Sequence, residues 1–133
     1  MFDFTNKNVL VVGASKAGIG AAIARAFKTA GAEVEITGVE DAPAPKDQGA
    51  FVYHKLDVTD PDAVLELAAK TSKLDILING AAITARGEEM APAFFEKVVD
   101  VNLHGTFRIA EAFHGHLARQ GGSLINIASM YAV

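Results

Sequence analysis

Three glycines near the N-terminus could bind an anionic ligand. Gly13, Gly18 and Gly20 follow the short apolar run 8–12 and precede the alanine-rich segment 21–30. This order predicts a buried strand, a tight turn and the start of a helix. Glycine tolerates positive φ and lets a ligand approach the backbone. The first amides of a helix lack intrahelical partners, so together with the helix dipole they favour a group such as a pyrophosphate. A purely structural strand–turn–helix connection is the alternative.

Polar residues follow two other apolar runs. The run 74–78 ends in Asn79, with Gly80-Ala81-Ala82 behind it, and the run 123–128 ends at Ser129. Open parallel sheets bind ligands beyond the carboxyl ends of their strands, at the point where the strand order reverses. In the order 3-2-1-4-5, strands one, four and five are neighbours, so these residues would share one edge with the glycine turn. Small residues after strand four would let a flat ligand lie close to the backbone.

The elements that must position these residues alternate along the chain. Strands are expected at about 8–12, 32–37, 50–56, 74–78 and 123–128, with helices after Gly20, after Pro61 and over about 92–119. Alternation of this kind predicts parallel pairing through right-handed crossovers, and hence an α/β fold with an open doubly wound sheet.

Finer patterns lead to three local expectations. The first helix should bury a stripe of Ala22, Ile23, Ala26, Phe27 and Ala30. The acidic, proline-rich segment 40–45 should be an exposed loop with little helix. The long helix should carry one apolar stripe formed by Phe95, Val98, Val99, Leu103, Ile109, Ala110, Phe113 and Leu117, with Gly121-Gly122 ending it.

Composition excludes several classes of function. A chain of 133 residues is one domain at most, and no apolar run approaches the roughly 20 residues of a spanning helix. The net charge of −4 without a basic cluster argues against nucleic acid or an anionic membrane as partner. The absence of cysteine excludes disulfides and thiolate metal sites. We expect a cytoplasmic protein, since the N-terminus does not resemble a secretory signal.

Four histidines raise the question of a metal site. His114 and His116 are two positions apart on a predicted helix and do not face the same way. The sequence, which also has His54 and His104, contains no helical carboxylate–histidine metal motif. We therefore expect no metal.

Five segments together resemble the short-chain dehydrogenase/reductase family. Residues 13–20 resemble its T-G-x-x-x-G-x-G nucleotide loop, and residues 56–60 the segment whose aspartate touches the adenine. Residues 79–82 resemble N-N-A-G, residues 101–103 the segment of the catalytic asparagine, and residues 126–129 the strand end with the catalytic serine. The resemblance covers nearly the whole chain in the right order and implies a Rossmann fold. The first loop has one extra residue between its first two glycines, and Gly80 and Ala82 replace an asparagine and a glycine.

The resemblance also implies roles for individual residues. The catalytic residues would be Asn102, in an active-site relay of water and lysine, and Ser129, which would bind the reacting oxygen. The cofactor-binding residues would be Gly13, Ser15, Lys16, Gly18, Ile19, Gly20, Gly38, Asp57, Val58, Asn79, Gly80, Ala81 and Ala82.

Each of these roles has a structural alternative. Asn102 would otherwise be part of a network that ties helix to sheet, and Ser129 an ordinary strand-end hydroxyl. Asp57 would help to cap the next helix, although Asp60 is better placed for that. Lys16 would simply be exposed.

The family's tyrosine and lysine are missing from this sequence. Its mechanism uses Y-x-x-x-K, because a tyrosine titrates near pH 10 and needs a nearby cation to transfer a proton near neutrality. Tyr53 is followed four positions on by Asp57, and no lysine lies beyond Lys97, so Tyr131 has none either. The resemblance therefore implies the front half of a longer enzyme, without the family's C-terminal strands and helices, and a 133-residue chain that is inactive alone.

The implied function is oxidoreduction with NAD or NADP. Hydride would pass between the nicotinamide and a small carbonyl or alcohol substrate. Lys16 and Gly38 favour NADP, whereas the nearby Glu40 and Asp41 favour NAD, and we expect NADP. The family packs the long helix against its counterpart, which implies a homodimer or homotetramer. A non-catalytic NAD(P)-binding module and a scaffold protein are the alternatives.

Overall fold

Within residues 1–84 and 91–129, which the computed structural model describes, five parallel strands form the centre of the fold. They are β1 (Asn8–Val12), β2 (Glu33–Gly38), β3 (Val52–Lys55), β4 (Ile76–Asn79) and β5 (Ser123–Asn126). Their order across the sheet is β3-β2-β1-β4-β5, and every neighbouring pair is parallel. The predicted doubly wound sheet and its strand order are confirmed.

Helices cover both faces of this sheet. They are α1 (Ile19–Thr29), α2 (Pro61–Lys70), α3 (Pro92–Val99) and α4 (Thr106–Gln120). Side chains alternate along β1, so Val9 and Val11 pack in the core layer that contains α1. Leu10 and Val12 pack in the opposite layer with residues of α2 and α4. A central strand buried on both faces is expected of a doubly wound sheet. No helix within the described ranges is long and apolar enough to cross a membrane.

Helix α1 buries different alanines from the expected ones. Ala21 and Ala24 are fully buried, whereas Ala22 and Ala26 are exposed. Alanine is so frequent here that spacing alone does not determine the phase of the helix. The phase follows from the close packing of Gly20 on the glycine turn, where an added Cβ would collide with the backbone oxygen of Gly13.

The segment between β2 and β3 is less exposed than expected. Pro43 is buried, and a short 3-10 turn forms at Pro45–Asp47. Asp47 is buried as well, since Arg25 of α1 neutralises its carboxylate. The expectation of an exposed loop was therefore wrong for part of this segment, because an ion pair folds it back onto α1.

The predicted long helix contains a π-helical turn. Helix α3 ends at Val99, the turn spans Asp100–Gly105, and α4 continues to Gln120. Gly121 then ends the helix with a left-handed φ of 59°, as expected. A π turn contains more residues than an α turn and is frequent at functional sites.

This turn divides the predicted apolar stripe. Ile109, Phe113 and Leu117 are buried against the sheet, as expected. Phe95 and Leu103 are 61% and 63% exposed. The stripe is therefore buried along α4 only, and its residues before and within the π turn are half-buried or exposed.

The orientation of α4 leads to a stability prediction. Phe113 is fully buried, whereas Phe107 on the same helix is 69% exposed. We expect Phe113→Ala to lower the free energy of unfolding by about 3–5 kcal/mol, since it removes a buried ring and leaves a cavity. Phe107→Ala is the control and should change the stability of the folded chain little. Equal losses in urea denaturation would contradict the described orientation.

Candidate functional site

The carboxyl ends of β1, β4 and β5 lie in register. Val12 pairs with Asn79, and Asn79 pairs with Asn126. The ladder continues past the strands, because the Gly80 N–H donates to the Val12 carbonyl and the Ile127 N–H to the Asn79 carbonyl, both at 3.0 Å. The structure thus brings the residues that follow these strands together at the carboxyl ends of the strands. This end of the sheet is called the edge below.

The glycine turn packs directly on the residues that follow β4. Gly13 has a φ of 84°, and a Cβ on it would lie 2.6 Å from the Cα and N of Ala81. The backbone of Gly13 therefore has to be bare for this contact. The small residues Gly80 and Ala81 accommodate the glycine turn, and their predicted contact with a flat ligand stays a prediction.

The two later glycines occupy different surroundings. Gly20 packs on the backbone of Gly13, as described above. Gly18 has extended backbone and is exposed, and a Cβ added to it would have no atom of the described residues within 4 Å. It is also the N-cap of α1, and the next residue, Ile19, is 68% exposed. The start of α1, with the unpaired amides of a first turn, is thus open at this edge.

A charged cluster lies beside the glycine turn at the end of β2. The Ser15 hydroxyl donates to the carboxylate of Glu40, and the Lys16 ammonium lies 2.9 Å from the other carboxylate oxygen. These two contacts, the Ser15 hydrogen bond first, lower the pKa of Glu40 to about 2. Glu40 is therefore a carboxylate at any physiological pH. Lys16 is paired but its side chain is still 80% exposed.

Gly38 is required by this cluster. A Cβ on Gly38 would collide with the side chain of Ser15. The sequence analysis interpreted Gly38 as a sign of cofactor preference, but the packing against Ser15 is a sufficient reason for glycine at this position.

The loop between β3 and α2 also lies at the carboxyl ends of the strands. Asp57 is exposed, and its Oδ1 accepts from both the N–H and the hydroxyl of Thr59, at 2.9 and 2.7 Å. Asp60 is the N-cap of α2 and accepts from two amides at 3.0 and 3.1 Å. Asp57 thus orders the turn before the helix, while Asp60 caps it.

Val58 is buried against the π turn. A Cβ on Gly105 would lie 2.5 Å from the Val58 side chain, so glycine is needed there. The Arg108 guanidinium donates to the Val58 carbonyl at 3.3 Å and lies 2.9 Å from Asp100. The hydrogen bond that Arg108 donates to the Asp100 carboxylate lowers the pKa of Asp100.

Asn102, in the π turn, holds the loop that follows β4. Its Oδ1 accepts from the Ile83 N–H at 2.8 Å, and its Nδ2 donates to the Ile83 carbonyl at 2.9 Å. The Asn102 carbonyl accepts from the Thr106 hydroxyl at 2.8 Å. The structural alternative for Asn102, a network between helix and sheet, is therefore present, and it does not exclude a role in catalysis.

Asn79 links the sheet to α4. Its Nδ2 donates to the Thr106 carbonyl at 2.9 Å. Its Oδ1 is buried and has no hydrogen-bond partner within the described ranges. A buried carbonyl oxygen without a partner is uncommon and could accept a hydrogen bond from a bound molecule.

Ser129 and Ala82 complete the edge. Ser129 lies three residues beyond the end of β5 and is exposed, as is Ala82. Tyr131 lies outside the described residues.

The sequence analysis missed several residues that shape the edge. Thr37 is buried, and its carbonyl and hydroxyl accept from the Ala14 and Gly13 amides at 2.8 and 3.4 Å. Thr106 and Arg108 hold Asn79 and Val58 in place. None of these residues belongs to a periodic pattern, so their roles follow only from contacts between distant segments.

Three of the four histidines have separate partners. His54 lies 2.5 Å from Glu35, His104 lies 3.3 Å from Asp100, and the Nε2 of His116 is 2.9 Å from the Thr71 carbonyl. Within the described part of the chain, no group of three potential metal ligands is close enough to hold an ion.

Comparison with known proteins points to one family. The sequence model of the family described as short chain dehydrogenase matches residues 7–133. The chain is 37% identical over 134 residues to the 2,3-dihydro-2,3-dihydroxybenzoate dehydrogenase of Escherichia coli, covering 96% of this chain and 52% of that protein. It is 34% identical over 142 residues to the 3-oxoacyl-(acyl-carrier-protein) reductase FabG of Rickettsia prowazekii, covering 100% of this chain and 58% of that protein.

A solved structure agrees with this. The 2-keto-3-deoxy-D-gluconate dehydrogenase of Streptococcus agalactiae superposes with a TM-score of 0.76 at 32% identity, over 96% of this chain and 53% of that one. The chain thus spans about half the length of the relatives that it matches. With a family model over nearly all its residues and this sheet order, the chain belongs to the short-chain dehydrogenase/reductase family.

Proposed function

We propose that this chain supplies the cofactor-binding part of an NAD(P)-dependent oxidoreductase that acts on a small carbonyl or alcohol. The observation that carries the proposal is the single edge where the open start of α1, the loop after β4 and the end of β5 meet. In this proposal residues 1–133 are one NAD(P)-binding domain. The nicotinamide, when bound, supplies or accepts the hydride, and the protein orients it.

The proposed role of each residue follows from its position at the carboxyl ends of the strands. Backbone at Gly18, Ile19 and Gly20 would hold the pyrophosphate, because the start of α1 is open there. The residues Gly13, Asn79, Gly80, Ala81 and Ala82 would form the floor of the site; Ser15, Lys16, Gly38, Asp57 and Val58 would surround the adenosine half. Asn102 would hold the loop beside the nicotinamide, and Ser129 would bind the reacting oxygen.

Gly18 allows a clean test of cofactor binding. Because a Cβ at Gly18 would meet no atom of residues 1–84 and 91–129 within 4 Å, Gly18→Val should fold normally while filling the space in front of the helix start. We expect NAD(P) affinity, measured by calorimetry, to fall by about tenfold or more.

The control is a glycine away from this edge. Gly115 is exposed on α4, so Gly115→Val should leave cofactor affinity unchanged. Wild-type affinity in a folded Gly18→Val chain would exclude the pyrophosphate site.

We further propose that the preferred cofactor is NADP, through Lys16. Its side chain is 80% exposed and pairs with Glu40, whose side chain is 30% exposed, so that solvent screens the ion pair. A 2′-phosphate offers the Lys16 ammonium a more highly charged partner. Lys16→Ala should therefore weaken NADP binding and leave NAD binding unchanged.

Glu40→Gln gives the complementary variant. It removes a carboxylate that would repel the 2′-phosphate, so the ratio of NADP to NAD affinity should rise. Equal effects of Lys16→Ala on both cofactors would contradict the NADP preference.

The 133 residues by themselves should show no catalytic turnover of an alcohol or ketone substrate. No tyrosine in this sequence has a lysine four positions later, and a general acid/base must lie within hydrogen-bond reach of its proton. We expect no NAD(P)-linked oxidation or reduction across a panel of alcohols and ketones. A chain extended through a Y-x-x-x-K segment should be active. Cofactor binding without turnover by the extended chain would favour a non-catalytic binding module, and turnover by the 133 residues would contradict the proposed proton donor.

We also propose that the chain self-associates through α3 and α4. Phe95 in α3, Leu103 in the π turn and Phe107 in α4 are 61–69% exposed. Contiguous exposed apolar side chains mark interaction sites, and we expect these three to form such a patch. Phe107→Asp should therefore shift the chain towards monomer in light scattering. Leu65→Asp, at an exposed leucine of α2, is the control. A wild-type chain that is monomeric at micromolar concentration would contradict the proposal.

A further inference from the structure

A buried ion pair joins α1 to the segment between β2 and β3. Asp47 is 1% exposed, and one nitrogen of the Arg25 guanidinium contacts both oxygens of its carboxylate, at 2.9 and 3.0 Å. A buried carboxylate is stable only when it is paired in this way. Because Arg25 lies on the helix that begins at the glycine turn, the pair fixes the 3-10 turn at Pro45–Asp47 relative to that helix.

Hydrogen bonds lead from Asp47 to the glycine turn. The Asp47 N–H donates to the Ala44 carbonyl, and the Ala44 N–H donates to the Ser15 carbonyl, both at 2.8 Å. Ser15 in turn donates through its hydroxyl to Glu40. A displacement of Asp47 would therefore move Ala44 away from Ser15. Because Ser15 also binds Glu40, the position of the Glu40 carboxylate would change as well.

Glu40 is also held from its other side. The Tyr53 hydroxyl donates to the backbone carbonyl of Glu40 at 2.6 Å. The charge of Glu40 thus has a defined position, next to Lys16 and beside the turn. Residues 40–47, called the arm below, are thus tied to the glycine turn at Ser15, to β3 at Tyr53 and to α1 at Arg25.

We infer that Arg25 and Asp47 are positioning residues for the adenosine half of the cofactor. They act through Ala44 and Glu40, which the pair keeps against Ser15, and they set both the affinity for the cofactor and the discrimination between NADP and NAD. This inference rests on the proposed function. Loss of the pair lets the arm move and changes the charge that an adenosine ribose or its 2′-phosphate meets.

The test uses substitutions that keep the size of each side chain. Asp47→Asn preserves the shape and removes the charge, Arg25→Met keeps the aliphatic stem, and Arg25→Lys keeps the positive charge. In calorimetry with NADP and NAD, we expect the first two to weaken binding by about fivefold or more, in the range of couplings between residues of one network. Arg25→Lys should be intermediate. The ratio of NADP affinity to NAD affinity should change as well.

A readout without cofactor tests the arm itself. The Ala44 amide is bonded to Ser15, so its hydrogen exchange should become faster in Asp47→Asn and Arg25→Met. A double-mutant cycle with Glu40→Gln tests the route, because the effect of Asp47→Asn on the NADP-to-NAD ratio should be smaller when Glu40 is already neutral.

Asp75→Asn is the matched control. Asp75 is also a buried carboxylate, 6% exposed, and it accepts from the Asn8 N–H at 2.8 Å. It lies just before β4 and thus at the amino end of that strand, whereas the proposed cofactor residues follow the carboxyl ends of the strands. We expect this variant to lower the melting temperature while leaving cofactor affinity and the Ala44 amide unchanged.

Three results would overturn the inference, and they are distinguishable. If Asp47→Asn only lowers the melting temperature, as the control does, the pair is merely structural. If its effect on the NADP-to-NAD ratio is undiminished in the Glu40→Gln background, the route through Glu40 is wrong. If the wild-type chain binds no cofactor, the proposed function fails and the inference fails with it. Should Asp47→Asn not fold, Arg25→Lys decides between the first outcome and the expected one.

Discussion

The close approach of two backbone segments is the constraint on which the edge of this sheet depends. Gly13 turns with positive φ and lies against the backbone of Gly80 and Ala81, where a single Cβ would collide. That contact sets the path of the glycine turn, and Gly20 packs back on Gly13 to fix the start of α1. The open helix start and the loop after β4 are therefore placed side by side by the same contact.

Polar side chains hold the loops around this contact through backbone groups. Asn102 pairs with both backbone groups of Ile83, Asn79 donates to the Thr106 carbonyl, and Arg108 donates to the Val58 carbonyl. Buried backbone groups need such partners, and each bond ties a loop of the edge to the α3–α4 region. Asn102 itself lies in the π turn, while Leu103 in the same turn and Phe95 in α3 are exposed.

Charge is concentrated on the other side of the glycine turn. Ser15 and Lys16 hold Glu40 as a carboxylate, and Arg25 neutralises the buried Asp47 behind it. The two clusters differ in exposure. The Lys16–Glu40 pair is partly open to solvent, whereas separating the buried Arg25–Asp47 pair would leave a buried charge unpaired.

The sequence by itself determined the parallel sheet, its strand order and many of the residues at its carboxyl edge, but not Thr37, Thr106 or Arg108. Apolar runs, alternating periods and glycine positions are local properties, and they agree with the family motifs in order along the chain. Only the tertiary structure decided the phase of α1, the π turn, the burial of Pro43 and Asp47, and the pairing of Lys16 with Glu40. These features depend on contacts between residues far apart in sequence, such as Arg25 and Asp47 or Val58 and Gly105, and no local pattern records which of several chemically suitable partners comes within reach.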